Sequence, residues 1–261
     1  MDKIQIKNVS YENIKDLIDL CIPPQNKDDR YFLEGSRVKK KWAENVLEKY
    51  GSFAKIAYLD SRPAGMLQYL PIPTEKIIKI KCVFVPQKEN TRKGLAKLII
   101  EDLINDMKKP KSYFDNNPPN ALIVEAFEVY GPVFPQAEFF KKMGFEQVSE
   151  DNPFLLYYPI LDGFVYKPET TEFITQDEDK GKAVIFFDPS CPFGVYFFEE
   201  MMRSILEIAP EIPIRKINEF AEREEVAKRG KKPFCAVNGK AITTFFFDKE
   251  NFQKEVREAL R

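Results

Sequence analysis

The stretch of sequence that decides the fold is Cys82-Val-Phe-Val-Pro-Gln-Lys-Glu-Asn-Thr-Arg-Lys-Gly-Leu-Ala-Lys-Leu-Ile-Ile-Glu-Asp-Leu-Ile104. An apolar run ends at Pro86, a basic turn containing Gly94 follows, and apolar residues then return at helical spacing. This pattern predicts a strand, a turn and a helix. The first N–H groups of a helix lack intrahelical acceptors and carry partial positive charge, so they suit a phosphate group. We therefore expect a nucleotide-bearing ligand at the turn.

The turn matches neither of the two common phosphate-binding loops, GxxxxGK(S/T) and GxGxxG. Its residues Thr91-Arg-Lys-Gly-Leu-Ala96 resemble instead the phosphate-binding motif of the GNAT N-acetyltransferase family. In that motif a Gln or Arg is followed by two residues, a Gly, one residue, and a Gly or Ala. Gly94 and Ala96 match it, whereas Thr91 replaces the Gln or Arg and an arginine, Arg92, stands one position later.

A second segment, Ala137-Glu-Phe-Phe-Lys-Lys-Met-Gly-Phe-Glu-Gln-Val148, resembles the helix and strand that close the domain in the same family. The family typically ends this helix with an aromatic residue, a basic residue and Gly-Phe. Gly144 is also a suitable residue to end a helix, and Phe145 then begins a strand. The two segments occur in the family's order with strands between them, which makes the resemblance specific.

The resemblance implies an α/β fold with a mixed sheet, the GNAT acyl-CoA N-acyltransferase fold, over residues 1–160. It also implies acetyl-CoA as co-substrate and transfer of its acetyl group to a primary amine. The pyrophosphate would lie at the turn, and the pantetheine arm would follow the strand that ends at Val85. The residues that the resemblance assigns to the co-substrate are Val83, Val85, Thr91, Arg92, Lys93, Gly94, Leu95 and Ala96.

Catalysis needs a group that deprotonates the amine and a group that protonates the leaving thiolate. In the family a tyrosine on the closing helix often has the second role, but the matching residue here is Phe140, and Phe134 replaces an asparagine. A phenyl ring has no proton to donate. Tyr130 is the nearest candidate acid, and Glu125 or Glu128 can take the amine proton. The alternative for each glutamate is a carboxylate at the strand edge with a lysine partner.

The rest of the chain predicts a second domain. A polar, aperiodic linker over residues 161–180 precedes an alternation of strands and helices over residues 181–261, which resembles a thioredoxin-like fold and in particular YoaP-like domains. Cys191 stands near the start of a helix, where a thiolate is favoured. Gly194 replaces the second cysteine of a CxxC pair, so the alternatives are a single reactive thiol, a pair with Cys235, or a buried structural thiol.

Composition excludes several classes of chemistry. The 261 residues contain no histidine, so Ser-His-Asp and Cys-His mechanisms are absent, and the four separated cysteines predict no metal site. A net charge of −1 gives no sign of a nucleic-acid or membrane surface. No apolar run has the roughly 20 residues of a membrane span. We expect a cytoplasmic protein.

The sequence therefore predicts an acetyl-CoA-dependent N-acetyltransferase with a thioredoxin-like domain. Its acceptor would be a small-molecule or peptide amine, and a homodimer is left open. The first alternative is a non-catalytic acyl-CoA-binding or interaction protein, which Phe134 and Phe140 favour. The second is a thiol-dependent redox protein that uses Cys191, against which the missing partner cysteine counts.

Overall fold

The structure is a computed structural model of the chain, and it describes residues 3–126, 135–168 and 172–261. Its contacts divide the chain into two compact units. The N-terminal unit comprises Met1–Pro23 and Glu44–Lys167, and the C-terminal unit comprises Pro24–Ala43 and Pro168–Arg261. This division differs from the contiguous one predicted from the sequence, because residues 24–43 group with the second unit. The predicted domains over residues 1–160 and 181–261 stay a prediction.

The N-terminal unit has one mixed sheet of strand order β1-β2-β3-β4-β5-β7-β6. Only β4 and β5 are parallel, and the other neighbours are antiparallel. The predicted α/β fold class with a mixed sheet is confirmed. The elements are β1 (Ile4–Asn8), α1 (Ile14–Leu20), α2 (Arg30–Tyr50), β2 (Ala54–Leu59), β3 (Arg62–Ile72), β4 (Ile77–Phe84), α3 (Leu95–Met107), β5 (Ala121–Glu125), α4 (Gln136–Lys142), β6 (Glu146–Ser149) and β7 (Asn152–Pro159).

Helix α3 packs on one face of this sheet through residues spaced three and four apart. Leu95, Ile99 and Leu103 are almost completely buried, and they join Ile80 of β4 and Val124 of β5 in the largest core cluster. This spacing gives a helix one apolar side, which is the reason that the apolar residues after Gly94 predict the helix correctly. The start of α3 is thereby fixed against the end of β4.

A buried lysine ties α3 to the first strands of the sheet. The side chain of Lys55 on β2 is 2% exposed, and its Nζ lies 2.6 Å from Asp102 Oδ2 and 3.5 Å from Asp106 Oδ2 on α3. It also donates a hydrogen bond of 2.7 Å to Asn8 Oδ1 on β1. Burial alone would raise the pKa of Asp106, but the hydrogen bond from Lys111 and the charge of Lys55 lower it. The ion pairs of Lys55 thus hold α3 against the sheet, and they favour the ionised form of the Asp106 carboxyl.

The C-terminal unit contains a four-stranded sheet of order β11-β10-β8-β9, in which β8 and β9 are parallel and the other pairs are antiparallel. Asn238 and Gly239 form the two-residue turn between β10 and β11, both with positive φ, as the Asn-Gly pair predicts. The elements are β8 (Ala183–Phe187), α5 (Gly194–Leu206), β9 (Ile214–Asn218), α6 (Arg223–Ala227), β10 (Cys235–Val237), β11 (Lys240–Ile242) and α7 (Lys249–Ala259).

Residues 24–43 belong to the C-terminal unit because the first part of α2 packs on the loop before α5. The rings of Phe32 and Phe193 meet edge to face with centroids 4.8 Å apart, and Trp42 contacts Phe220. A Cβ added at Gly35 would overlap the carbonyl oxygen of Pro192. The helix backbone therefore lies directly against this loop, and only glycine fits at the contact.

Part of the predicted linker is also packed into the C-terminal unit. Asp179 and Arg229 are both buried, and two hydrogen bonds of 2.7 and 2.8 Å join the Asp179 carboxylate to the Arg229 guanidinium. The N–H of Ile174 donates to the carbonyl oxygen of Arg229. Within the segment predicted as a linker, the carboxylates of Glu178 and Asp179 are thus the partners of Lys228 and Arg229, which lie far along the chain.

Lys55→Ala should lower the free energy of unfolding by about 3 kcal/mol, because it leaves the carboxylates of Asp102 and Asp106 without their shared cation. Lys15→Ala is the control, since Lys15 pairs with Asp19 on an exposed helix face and should leave the free energy of unfolding almost unchanged. Urea denaturation of both variants checks this. Equal effects of the two substitutions would contradict the anchoring role.

The stability of the C-terminal unit should fall in acid through Glu178. Hydrogen bonds from Lys228 and Arg229 lower the pKa of this carboxyl from 4.5 to about 2. A lowered folded-state pKa contributes stability that is complete above the unfolded value of 4.5 and is lost as the pH falls towards about 2. Glu178→Gln should therefore lower the melting temperature at pH 7, and the difference from wild type should shrink towards pH 2.5.

Thermal melts between pH 7 and pH 2.5 test this dependence, with Glu211→Gln, an exposed glutamate of the same unit, as the matched control. A difference between wild type and Glu178→Gln that stays constant over this range would show that the ionised form of Glu178 contributes nothing.

Candidate functional site

The parallel strands β4 and β5 part in the middle of the sheet. They are paired only from Ile77 opposite Ala121 to Ile80 opposite Val124. Beyond this point β4 continues to Phe84 as the partner of β3, whereas β5 remains paired with β7. The register of β4 against β3 shifts between Ile80 and Cys82, so one extra residue bulges at the parting. We call the parting after Ile80 and Val124 the fork.

Val83 and Val85, predicted to flank the pantetheine arm, lie on the segment beyond the fork. Val83 is opposite Leu67 of β3, and both valines pack against the core cluster that contains α3. Their side chains are thus held in the core while the side of β4 that β5 has left offers backbone groups. That main-chain groups of these two residues bind the pantetheine arm stays a prediction.

The predicted phosphate turn is an exposed turn between β4 and α3. Gly94 is the residue before the helix and has a φ of 79°, and Arg92 has a φ of 65°, so the chain makes two left-handed steps here. The side chains of Thr91, Arg92 and Lys93 are exposed. A Cβ at Gly94 would meet nothing within 4 Å, so the space in front of the turn is open.

The helix start supplies main-chain donors at this open space. The N–H of Leu98 bonds to the carbonyl oxygen of Gly94 at 3.0 Å. Helix geometry leaves the N–H groups of the preceding turn, which includes Leu95 and Ala96, without an intrahelical acceptor. Leu95 is itself 1% exposed and anchors the turn in the core. The structure thus brings the predicted residues from Thr91 to Ala96 together at one helix N-terminus.

Glu125 is the last residue of β5 and lies at the fork. Its side chain is half exposed, and its Oε2 lies 3.6 Å from Nζ of Lys79 on β4. Glu125 therefore has the lysine partner that the alternative interpretation of this residue anticipated. A carboxylate that remains in contact with solvent can still accept a proton, directly or through water.

The other residues considered for proton transfer divide into two groups. Tyr130, Glu128 and Phe134 lie outside the described residues, so their roles remain predictions. Phe140 on α4 is completely buried and packs edge to face on Phe145 with centroids 5.0 Å apart. Phe140 is therefore a core residue, and its ring packs against other core residues and has no proton to donate.

Cys191 lies in the loop between β8 and α5, three positions before the helix, and is half buried. Cys235 on β10 is completely buried, and burial raises the pKa of its thiol far above the usual value. All four cysteines are described and none forms a disulfide, so the considered pairing of Cys191 with Cys235 is not present. No peptide bond among the described residues is cis, that before Pro233 included.

Lys79 is the site residue that sequence reasoning missed. It lies between Ile78 and Ile80 in an apolar strand, and its register partner is Ile123 on β5. The alternation of Lys79 and Lys81 with apolar residues was the available signal, because it marks a polar face on a central strand. The role of Lys79 could not be predicted from this pattern, because it depends on an ion pair with Glu125, which is distant in sequence.

No helix among the residues that the structure describes is long and apolar enough to cross a membrane.

Comparison with known proteins gives similarity in structure alone. No family model and no curated protein matches the sequence. A GNAT family acetyltransferase from Brucella melitensis, solved with acetyl-CoA, matches with a TM-score of 0.42 at 9% identity and covers 63% of this chain and 92% of its own.

Two further structures match at a similar level. The PaiA N-acetyltransferase from Thermoplasma acidophilum, solved with coenzyme A, has a TM-score of 0.43 at 16% identity over 60% of this chain and 99% of its own. The ribosomal-protein-S18-alanine N-acetyltransferase from Escherichia coli has a TM-score of 0.41 at 12% identity over 63% of this chain and 100% of its own. Similarity at this level does not place the chain in a family.

Proposed function

We propose that the N-terminal unit is an acetyl-CoA-dependent N-acetyltransferase that acts on a primary amine. The observation that supports it is the fork between β4 and β5 together with the turn and helix start that follow β4 directly. Among the described residues, the fork leaves one side of β4 beyond Ile80 without a neighbouring strand. The helix start leaves main-chain donors without intrahelical acceptors. A ligand that has a diphosphate joined to a chain of amides matches both.

The diphosphate of acetyl-CoA would bind the N–H groups at Gly94, Leu95 and Ala96, with the exposed cations of Arg92 and Lys93 beside it. The amides of the pantetheine arm would then lie along β4 beyond the fork and pair with main-chain groups of the segment from Val83 to Val85, as an added strand does. This direction would bring the thioester to the fork, where Glu125 lies.

In the reaction the amine nitrogen attacks the thioester carbonyl carbon, the carbon–sulfur bond breaks, and an amide and the coenzyme A thiolate form. Glu125 is the described residue at the fork that can take the proton of the ammonium, directly or through water. Since Phe140 cannot donate, the thiolate takes its proton from water, from the attacking amine or from Tyr130. Holding the two reactants together supplies much of the rate by effective molarity.

A second candidate is a non-catalytic acyl-CoA-binding protein, which the burial of Phe140 favours. It shares the binding site and differs only in turnover. The third, a thiol-dependent redox protein, is disfavoured because Cys235 is fully buried and Gly194 stands where a CxxC pair needs its second thiol.

We propose further that the C-terminal unit is thioredoxin-like and close to YoaP-like domains. A parallel pair of strands, β8 and β9, joined by a helix, followed by a hairpin and a final helix, supports this interpretation. Its function here would be packing or substrate capture, with a small-molecule or peptide amine as the partner of the whole protein. A cytoplasmic setting and a homodimer stay predictions.

Coenzyme A should raise the melting temperature of the wild-type protein, because a ligand at about 100 times its Kd stabilises the folded state by about 2.7 kcal/mol. Gly94→Glu should remove most of this rise by placing a carboxylate where the diphosphate binds. Gly51→Glu is the matched control, since Gly51 also has a positive φ and open space around it. The Gly51→Glu variant should lose about as much stability as Gly94→Glu, but coenzyme A should raise its melting temperature as much as it raises that of the wild type. An unchanged wild-type melting curve would exclude both the enzyme and the binding protein.

Turnover separates the first two candidates. Wild-type protein should release free thiol from acetyl-CoA in the presence of a suitable amine, and Cys191→Ser should retain that rate within about twofold, because the thiol has no part in the transfer. Thiol release with every amine of a broad panel at the background rate would favour the binding protein. A full loss of activity in Cys191→Ser would favour the thiol-dependent alternative.

A further inference from the structure

The ion pair between Lys79 and Glu125 lies where the strands β4 and β5 separate. It joins β4 to β5 across the last residues at which the two strands are paired, Ile80 and Val124. Its side chains are 35% and 50% exposed, so both are partly in contact with solvent. The pair therefore lies at the fork, at the point to which the proposed function brings the thioester.

The pair constrains which amines can bind there. An amine reaches the site as an ammonium ion, and its binding to Glu125 places a second cation next to the Lys79 ammonium, whose Nζ is 3.6 Å from the same carboxylate. Two cations then share one carboxylate, and their mutual repulsion opposes binding. A simple amine or a polyamine thus binds at the expense of the existing pair.

An acceptor that carries its own carboxylate removes this conflict. In an α-amino acid the amino group and the carboxylate are attached to one carbon atom, so the ammonium can pair with Glu125 while the carboxylate pairs with Lys79. One ion pair is replaced by two, and both Lys79 and Glu125 keep a counter-charge. A lysine in this position also selects against peptide N-termini, whose carboxylate has become an amide.

We propose that the acceptor of this protein is a free α-amino acid, or a zwitterion of the same geometry, with Lys79 as the residue that selects the carboxylate. This inference rests on the proposed function and names the class of its acceptor. Lys79 would act on acceptor binding, while the turn around Gly94 would bind the co-substrate.

The chain offers a matched control for the pair itself. Lys141 and Glu138 on α4 are 2.9 Å apart with side-chain exposures of 38% and 51%, close to those of Lys79 and Glu125. That pair links neighbouring turns of one helix and lies at no fork. Exposed pairs of this kind are common and contribute little to stability, so a selective effect of Lys79 on acceptors has to come from its place at the fork.

The experiment uses the full chain saturated with coenzyme A and measures acceptor binding by titration calorimetry. The probes are the twenty amino acids and, for the best binders, the amines formed by removing the carboxyl group, for example phenylalanine with phenethylamine. The variants are Lys79→Met, Lys79→Arg and Lys141→Met. Melting temperatures with and without coenzyme A are recorded for each protein.

At least one amino acid should bind the wild type about tenfold more tightly than its decarboxylated amine. Lys79→Met should remove this preference by weakening the amino acid alone, Lys79→Arg should restore most of it, and Lys141→Met should leave it intact. With acetyl-CoA in place of coenzyme A, Lys79→Met should raise KM for the amino acid far more than it lowers kcat.

Equal binding of amino acids and amines by the wild type, or an equal loss of both in Lys79→Met, would overturn the inference. If coenzyme A raises the melting temperature but no amino acid is preferred, this inference fails and the proposed function stands. If coenzyme A has no effect on wild-type melting, the proposed function fails and this inference fails with it.

Discussion

The parallel pairing of β4 and β5 ends after Ile80 and Val124, and the rest of the candidate site depends on this ending. Because no described strand pairs with that side of β4 beyond Ile80, its backbone groups there are open to a ligand. Because the chain then turns directly into α3, a set of helix N-terminal donors follows. The core contacts of Leu95 and the buried cation of Lys55 hold that helix against the sheet. If β4 and β5 were paired along the whole length of β4, the backbone groups of β4 would be bonded to β5 and could not bind a ligand.

The local features of this arrangement could be predicted from the sequence, because each depends on residues close together in the chain. The apolar run, the positive φ suited to Gly94 and the spacing of the α3 core residues all lie within one short stretch. The Asn238-Gly239 turn is of the same kind.

The features that were missed depend on contacts between distant residues. Residues 30–43 look like an ordinary amphipathic helix in the sequence. Contacts with distant residues, such as that of Phe32 with Phe193 and that of Gly35 with Pro192, group them with the C-terminal unit. The polar run that contains Asp179 was interpreted as a linker because its partner, Arg229, is fifty residues away. The meaning of Lys79 likewise depends on Glu125, on another strand.

The absence of histidine and the burial of Phe140 leave positioning and the carboxylate of Glu125 as the means of catalysis in the proposed transferase. Backbone amide NMR with added coenzyme A tests the proposed binding geometry most directly. The largest chemical-shift changes should fall on the amides of Gly94, Leu95 and Ala96 and on those of Val83 and Val85. Shifts confined to the C-terminal unit, with these five amides unmoved, would contradict it.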